Sequence, residues 1–243
     1  MMEELGLASE LQKSLLPKEF PSDLPLELCR KYMPLATVGG DFFDVSMVDP
    51  THVGIIIADV SGHGVAPAFI TAMLKSAYSH ISPGELSPAE VMGRLNQEFA
   101  RNLRTEHYLT GFYTIVDVES LECLYCNAGH PKQLLIRAGG GEEELETQGF
   151  FLGMFDGTTY EDGRVSLNPG DALCFFTDGI IEAKDAGGNQ FDREGIVKSY
   201  RAHELESMEA ISNALVQDLL EFTAGPELED DLTFIAARVI ESL

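Results

Sequence analysis

The chain has 243 residues, 44% of them hydrophobic, with a mean hydropathy near zero, enough apolar material for one large domain or two small ones. Its 40 acidic residues against 16 basic give a formal net charge of −24, a field that repels phosphate backbones and argues against nucleic-acid binding. The N-terminal MMEELGLASELQ is acidic, unlike a signal or transit peptide, and the most apolar run, HVGIIIADV, is too short to span a bilayer, so a cytoplasmic protein without membrane insertion is expected.

Residues 3–15, EELGLASELQKSL, place Leu5, Ala8, Leu11 or Gln12, and Leu15 along one helical stripe that Pro17 closes. Such a helix is a connector to an upstream module, a dimer contact, or a helix packed on its own domain; residues 1–18 are read as the connector and 19–243 as the domain proper. Strand text follows in LELCRKYMP, DFFDVSMVD and HVGIIIADV. GVAPAFITAMLKSAYSHI sets Val65, Phe69, Met73, Ala77 and Ile81 at helical spacing and reads as a largely buried helix. SPAEVMGRLNQEFARNL opens with Ser87 as N-cap, Pro88 at N1 and Glu90 at N3, a capping box. YLTGFYTIVDV, ECLYCNAG and KQLLIR read as strands, and AGGGEEELE as a solvated turn. DALCFFTDG is a strand that runs out at Asp178, SMEAISNALVQDLLEFT a helix, and DLTFIAARVI the last strand. Strands group with strands and helices with helices, without βαβ alternation, which implies an α+β fold with antiparallel sheets. The two early helices are expected to cover one sheet as a pair.

Cys123 and Cys126 form a C-x-x-C on strand text, where positions three apart face opposite sides, and no second ligand pair accompanies them; zinc binding is disfavoured and reduced thiols are expected. The stretch VGGDFFDV is one letter from the GGDEF signature of cyclic dinucleotide cyclases. Position 42 is Phe where a cyclase needs an acid, and the 37 residues before Val38 leave no room for a metal-binding half-domain.

Acids recur at strand ends: Asp41 and Asp44, Asp59, Asp178, then Asp230 and Asp231. Any one of them alone reads as a turn former or cap. Brought together, they would repel unless cations neutralised them or some became protonated. Oxygen-only ligands select Mg2+ or Mn2+, and two such ions lower the pKa of a shared water and bind phosphate oxygens, which points to phosphoester hydrolysis.

With these acids stand LQKSLLP, GGDFFD, DVSGHG, NAGHP, the pair Leu152–Gly153, TDGIIEA and DDLT, in that order, over roughly residues 9 to 239. The ordered set resembles the metal-dependent Ser/Thr protein phosphatases of the PPM type, in the branch of sporulation stage II protein E and the RsbU stress-response phosphatases. The resemblance implies a four-layer α-β-β-α sandwich of two antiparallel sheets flanked by helices, with two Mn2+ or Mg2+ ions in a cleft. It assigns Asp59 as the ligand bridging both ions, Val60 as a backbone-carbonyl ligand, Asp178 and Asp230 as ligands of the second ion, and Asp41 as an outer acid acting through bound water. Asp231 stands where many relatives have Asn, and Asp44 would orient other groups at best. The implied reaction is attack of metal-bound hydroxide on phosphoserine or phosphothreonine, without a phosphoenzyme; Asp41, Asp59, Asp178 and Asp230 are the catalytic set. His63 is either the leaving-group acid or a residue packed at the start of the next helix, and His130 a turn-stabilising hydrogen bonder. No arginine clearly matches the phosphate-binding one of eukaryotic relatives, Arg30 being a poor candidate. The implied substrate is a phosphorylated anti-sigma-factor antagonist. An upstream sensor domain and a homodimer through the N-terminal helix are further expectations, the chain then being a fragment or a minimal form. The other reading is a catalytically silent regulatory module of the same fold; lost acids would favour it, and none is lost.

Overall fold

Residues 2–103, 106–225 and 229–240 are described by a computed structural model. In chain order the elements begin with α1 (Met2–Leu15), β1 (Leu26–Met33), β2 (Asp41–Asp49), β3 (His52–Val60), α2 (Val65–Ile81) and α3 (Pro88–Asn102). They continue with β4 (Leu109–Asp117), β5 (Glu122–Ala128), β6 (Gln133–Ile136), β7 (Glu142–Leu145) and β8 (Gly163–Ser166). The last are β9 (Ala172–Phe176), α4 (Asp178–Ile181), α5 (Asp192–Ala202), α6 (Met208–Phe222) and β10 (Leu232–Val239). They form two compact units, the first of residues 1–24, 36–132 and 145–167, the second of residues 25–35, 133–144 and 168–243.

The first unit holds the sheet β2-β3-β4-β5-β8, antiparallel throughout. The helices α2 and α3 cover one face of it: Phe42, Ile56, Ala58, Val60 and Tyr113 meet Ile70, Leu74, Tyr78, Val91, Leu95 and Phe99. Each such side chain contributes ~1.5–3 kcal/mol on full burial. Strand alternation sends Asp41, Phe43, Ile55, Ile57 and Asp59 to the opposite face. In the second unit the sheet β1-β10-β9-β6-β7 carries α5 and α6 on one face, where Phe176, Phe234 and Ala236 meet Ile196, Tyr200, Ile211 and Leu215. Two antiparallel five-stranded sheets, each with its own helices, are the α+β class that the sequence predicts.

Three local readings change, and one that was open closes. The α2 stripe is not buried as a whole, since Val65, Phe69 and Met73 are exposed; the buried face runs through Pro67, Ile70, Thr71, Leu74 and Tyr78, about one position further round. In α1 the stripe passes through Gln12, which is buried, and Leu11 points outward. Ser87 caps α3 through the Glu90 amide, yet the amide of Ser87 is met by Glu85 rather than by the N3 glutamate. The solvated tract AGGGEEELE contains the edge strand β7, whose Glu142, Glu143 and Glu144 are exposed while Leu145 is buried. Charges on an edge strand block further pairing. All four cysteines are buried free thiols, and loss of hydration pushes Cys123 and Cys126 up to about 12, so the C-x-x-C stays protonated. No helix among the described residues is long and apolar enough to cross a membrane.

Candidate active site

In the first unit, Asp41 opens β2 directly opposite Asp59 near the end of β3, so both carboxylates project from one face of adjacent strands. Their approach is fixed from behind by Gly40. The Val60 amide donates to the Gly40 carbonyl at 3.1 Å. A Cβ on Gly40 would lie 2.6 Å from the Val60 carbonyl oxygen, 3.0 Å from that of Gly62 and 3.2 Å from Asp59 Oδ1. Three oxygens, one of them the carbonyl expected as a ligand, thus converge on a hollow that only glycine leaves open. Gly39 is clamped by a side chain that no motif reading singled out for chemistry: Gln12 of α1 donates through Nε2 to the Gly39 carbonyl at 2.7 Å and accepts from its amide at 3.1 Å. The same Nε2 reaches Thr71 Oγ1 of α2 at 3.1 Å.

Beyond Val60 the chain is zipped to the start of β4. The Ser61 amide donates to the Tyr108 carbonyl at 3.0 Å, Tyr108 returns its amide to Ser61 Oγ at 3.1 Å, and His107 Nδ1 donates to the Ser61 carbonyl at 2.6 Å. His63, exposed in the turn before α2, does not pack under the helix. His130 is bracketed by Asn127, whose side chain accepts from its amide and donates to its carbonyl, both at 2.8 Å; the ring meets Thr110 Oγ1 at 2.8 Å. Thr110 lies directly opposite Asp59 on β4. Asp44, three residues from Asp41, faces the other side of the sheet and forms an ion pair with Lys75 of α2. Asp44 therefore anchors α2 to β2, on the side away from Asp41.

In the second unit, Asp178 opens α4 where β9 ends. Gln133, fully buried, accepts from the Phe176 amide at 2.6 Å and donates to its carbonyl at 3.2 Å. Thr177 and Thr233 latch β9 to β10 through Thr177 N–H to Thr233 O and Thr233 N–H to Thr177 Oγ1, each 3.1 Å. A Cβ on Gly179 would lie 2.0 Å from the Asp231 carbonyl and 3.4 Å from Asp230 Cβ, so only glycine lets the turn at Asp178 close on the acids before β10. Asp178 is pushed up to about 6, by burial first and then by the negative charges of Asp230 and Glu182. Asp231 is buried, with Oδ1 accepting the Leu35 amide at 2.7 Å, while its own amide donates to Asp230 Oδ1 at 2.8 Å.

Among the described residues no three His, Cys, Asp or Glu side chains converge into a complete metal-ligand group. The acids stand as pairs, Asp41 with Asp59 and Asp178 with Asp230. Both pairs fit a hard divalent cation in their chemistry: oxygen donors only, an oxygen-lined hollow at Gly40, and a carboxyl at Asp178 raised by burial and by the neighbouring acids Asp230 and Glu182.

The family model for stage II sporulation protein E (SpoIIE) matches residues 49–240. The phosphoserine phosphatase RsbU of Bacillus subtilis is 26% identical over 236 residues, which is 97% of this chain and 70% of RsbU. The phosphoserine phosphatase RsbP of the same organism is 30% identical over 183 residues, 74% of this chain and 45% of RsbP, so the chain spans less than half of that relative. Among solved structures, the SiaA-PP2C domain of Pseudomonas aeruginosa matches with a TM-score of 0.86 at 24% identity, over 97% of this chain and 96% of that one.

Proposed function

Since the chain belongs to the stage II sporulation protein E family, of the PP2C-type protein phosphatases, we propose that it hydrolyses phosphoserine and phosphothreonine esters on protein with the help of two Mn2+ or Mg2+ ions. The observation that carries this reading is the placement of two acid pairs at strand ends, Asp41 directly opposite Asp59 and Asp178 beside Asp230, each closed in by a glycine that admits no Cβ. Two glycines, a glutamine and a threonine latch keep both acid pairs in place although their charges repel, an arrangement that serves cation binding and not stability.

Asp59, the Val60 carbonyl, Asp178 and Asp230 would hold the ions, with Asp41 and Asp231 beside them. When bound, such ions supply Lewis acidity, activating water and neutralising phosphate oxygens. The chain's own task is to keep four carboxylates ionised and aimed. Gly40 and Gly179 let the backbone come close, Gln12 and Gln133 fix the loops behind Asp41 and Asp178, and the Thr177–Thr233 latch holds β9 against β10. His130, buried and bracketed by Asn127, steadies Thr110 opposite Asp59.

The substrate would be a phosphorylated anti-sigma-factor antagonist, in stress-linked sigma-factor regulation in the cytoplasm; that RsbU and RsbP are phosphoserine phosphatases supports the phosphoserine part. Residues 1–18 would be the connector from an upstream sensor and residues 19–243 the phosphatase domain. A homodimer through α1 finds support in an apolar groove of about 300 Å3 lined by Leu11, Leu15, Val65 and Phe69. The test is release of p-nitrophenol from p-nitrophenyl phosphate with Mn2+. EDTA, Asp59→Ala and Asp178→Ala should each abolish it, and robust turnover in both variants refutes the reading.

A further inference from the structure

The signature pair Leu152–Gly153 lies in a loop between β7 and β8 that the metal site leaves unused. The loop reads Gly149-Phe150-Phe151-Leu152-Gly153-Met154-Phe155, and Phe150, Met154 and Phe155 are 46%, 46% and 56% exposed. It is held tightly all the same. Asn96 of α3, fully buried, donates to the Phe155 carbonyl and accepts from the Gly153 amide, both at 2.9 Å. Leu109 and Leu152 exchange both backbone hydrogen bonds, at 3.3 and 2.8 Å, and Tyr160 Oη donates to the Phe150 carbonyl at 3.0 Å. Gly153 sits at φ +85°, where a Cβ would also meet Phe99 Cβ at 3.1 Å. A loop pinned this firmly, with three large apolar side chains in water, is a built surface.

The rings lead to the candidate active site. Phe155 meets Phe150 at 5.2 Å between centroids, Phe150 meets Phe151 at 5.3 Å, and Phe151 stacks on Tyr108 at 4.6 Å. Tyr108 is the residue whose backbone is zipped to Ser61, two positions after Asp59. We propose that this aromatic ladder is the docking strip for the phosphoprotein substrate, taking apolar side chains that flank the phosphoserine. The proposal rests on the phosphatase reading and adds the class of sequence the site accepts. Continuity with the Asp59 turn names the substrate as occupant: the inner end of the ladder, Tyr108, is hydrogen-bonded through its backbone to Ser61, two positions from Asp59. Charge argues the same way: at a net charge of −24 this chain repels acidic segments, so docking energy for a phosphorylated one comes from apolar contact. Rigid aromatic side chains supply it with little loss of conformational entropy.

The experiment compares two fluorescein-labelled phosphoserine peptides of equal length and equal charge, one flanked by Leu, the other by Gln. The wild type with Mn2+ should show kcat/KM about tenfold higher for the Leu-flanked peptide. Phe150→Ser/Phe155→Ser should bring the ratio of the two rates to about one, and Phe150→Leu/Phe155→Leu, which keeps an apolar surface, should retain the preference. No preference in the wild type, or a preference that survives in the serine variant, overturns the proposal. If the wild type releases no phosphate from either peptide or from p-nitrophenyl phosphate, the phosphatase reading fails by itself. Anisotropy of the same peptides in EDTA then decides for the strip: tighter binding of the Leu-flanked peptide by the wild type than by the serine variant supports it, and equal binding overturns it. A wild-type dimer that the serine variant turns into monomer would assign the strip to a second copy, which also overturns it.

Discussion

Asp178→Asn should separate stability from function with opposite signs in one side chain. The carboxyl is pushed from 3.8 to about 6 by burial and by the charges of Asp230 and Glu182. At ~1.36 kcal/mol per pKa unit, this costs the metal-free folded state on the order of 2–3 kcal/mol once the group is ionised. The folded pKa lies above the unfolded one, so the folded state holds the proton more tightly. The stability this confers is complete below about 3.8 and is lost as pH rises through about 6. Asn keeps the shape and removes the charge. In EDTA at pH 7.5 the variant should therefore melt several degrees above the wild type, at ~2–4 °C per kcal/mol for a chain of this size. The advantage should vanish near pH 4, where Asp178 is protonated. With saturating Mn2+ the order should reverse: a site at about a thousand times its Kd gains ~4.1 kcal/mol in the wild type, more than the ~2–3 kcal/mol that the charge costs, and the variant gains far less. The assay is thermal unfolding at both pH values, with and without Mn2+, beside phosphatase activity. A variant that is no more stable than the wild type in EDTA at pH 7.5, or one that keeps Mn2+-dependent activity, refutes the reasoning.

Other side chains make separable predictions. Gln12→Ala removes three hydrogen bonds between α1, the Gly39 loop and Thr71, so the Mn2+ concentration for half-maximal activity should rise about three- to tenfold, with a stability loss of about 1–2 kcal/mol; unchanged Mn2+ dependence would show that α1 does not steady Asp41. Gly40→Ala drives a methyl to 2.6 Å from the Val60 carbonyl and should cut activity by about a hundredfold or more, read as kcat alongside a Mn2+ titration. Lys75→Met strands the buried Asp44 carboxylate and should cost about 2–4 kcal/mol in urea unfolding. Adding Asp44→Asn to it should recover most of that loss and leave Mn2+-dependent turnover within about threefold of wild type, since Asp44 faces away from Asp41.

The alternating strands and the capped α3 were legible because period and cap are local properties, and the acids because each interrupts apolar strand text just before a turn. The α2 stripe misled because small residues give the helix two plausible apolar faces; only contact with β2, β3 and α3 selects Ile70, Leu74 and Tyr78 over Phe69 and Met73. Thr110 and Gln133 carried no signal as site residues, since their partners lie 20 and 43 residues away, and Gln12 carried one only as a letter of LQKSLLP, its partner Gly39 lying 27 residues on. Thr177 and Thr233 did offer one: each is a hydroxyl in strand text that is otherwise apolar, next to Asp178 or two positions after Asp231, and both are fully buried. The strand β8 has no signature in the sequence, because its four residues, Gly-Arg-Val-Ser, bury little and owe their conformation to pairing with β5.

Asp178 differs in kind from the aspartates that hold the scaffold together. Asp171 is as buried as any, yet its carboxyl is held below the usual range: burial pushes it up, and the amides of Ala138 and Asn168 with the Arg137 guanidinium outweigh that. Asp117 is likewise lowered, first by the Ser120 hydroxyl and then by the amides of its turn. These carboxylates stabilise the fold by being charged. Asp178 does the reverse, because the groups nearest it are acids, and the latch around it spends hydrogen bonds to keep them there. A neutral isostere is better tolerated there in the metal-free state. Asp178 follows a buried strand, with glycine at the next position where a Cβ would collide, and a cation bound there, as proposed, would turn its unfavourable charge into a favourable one.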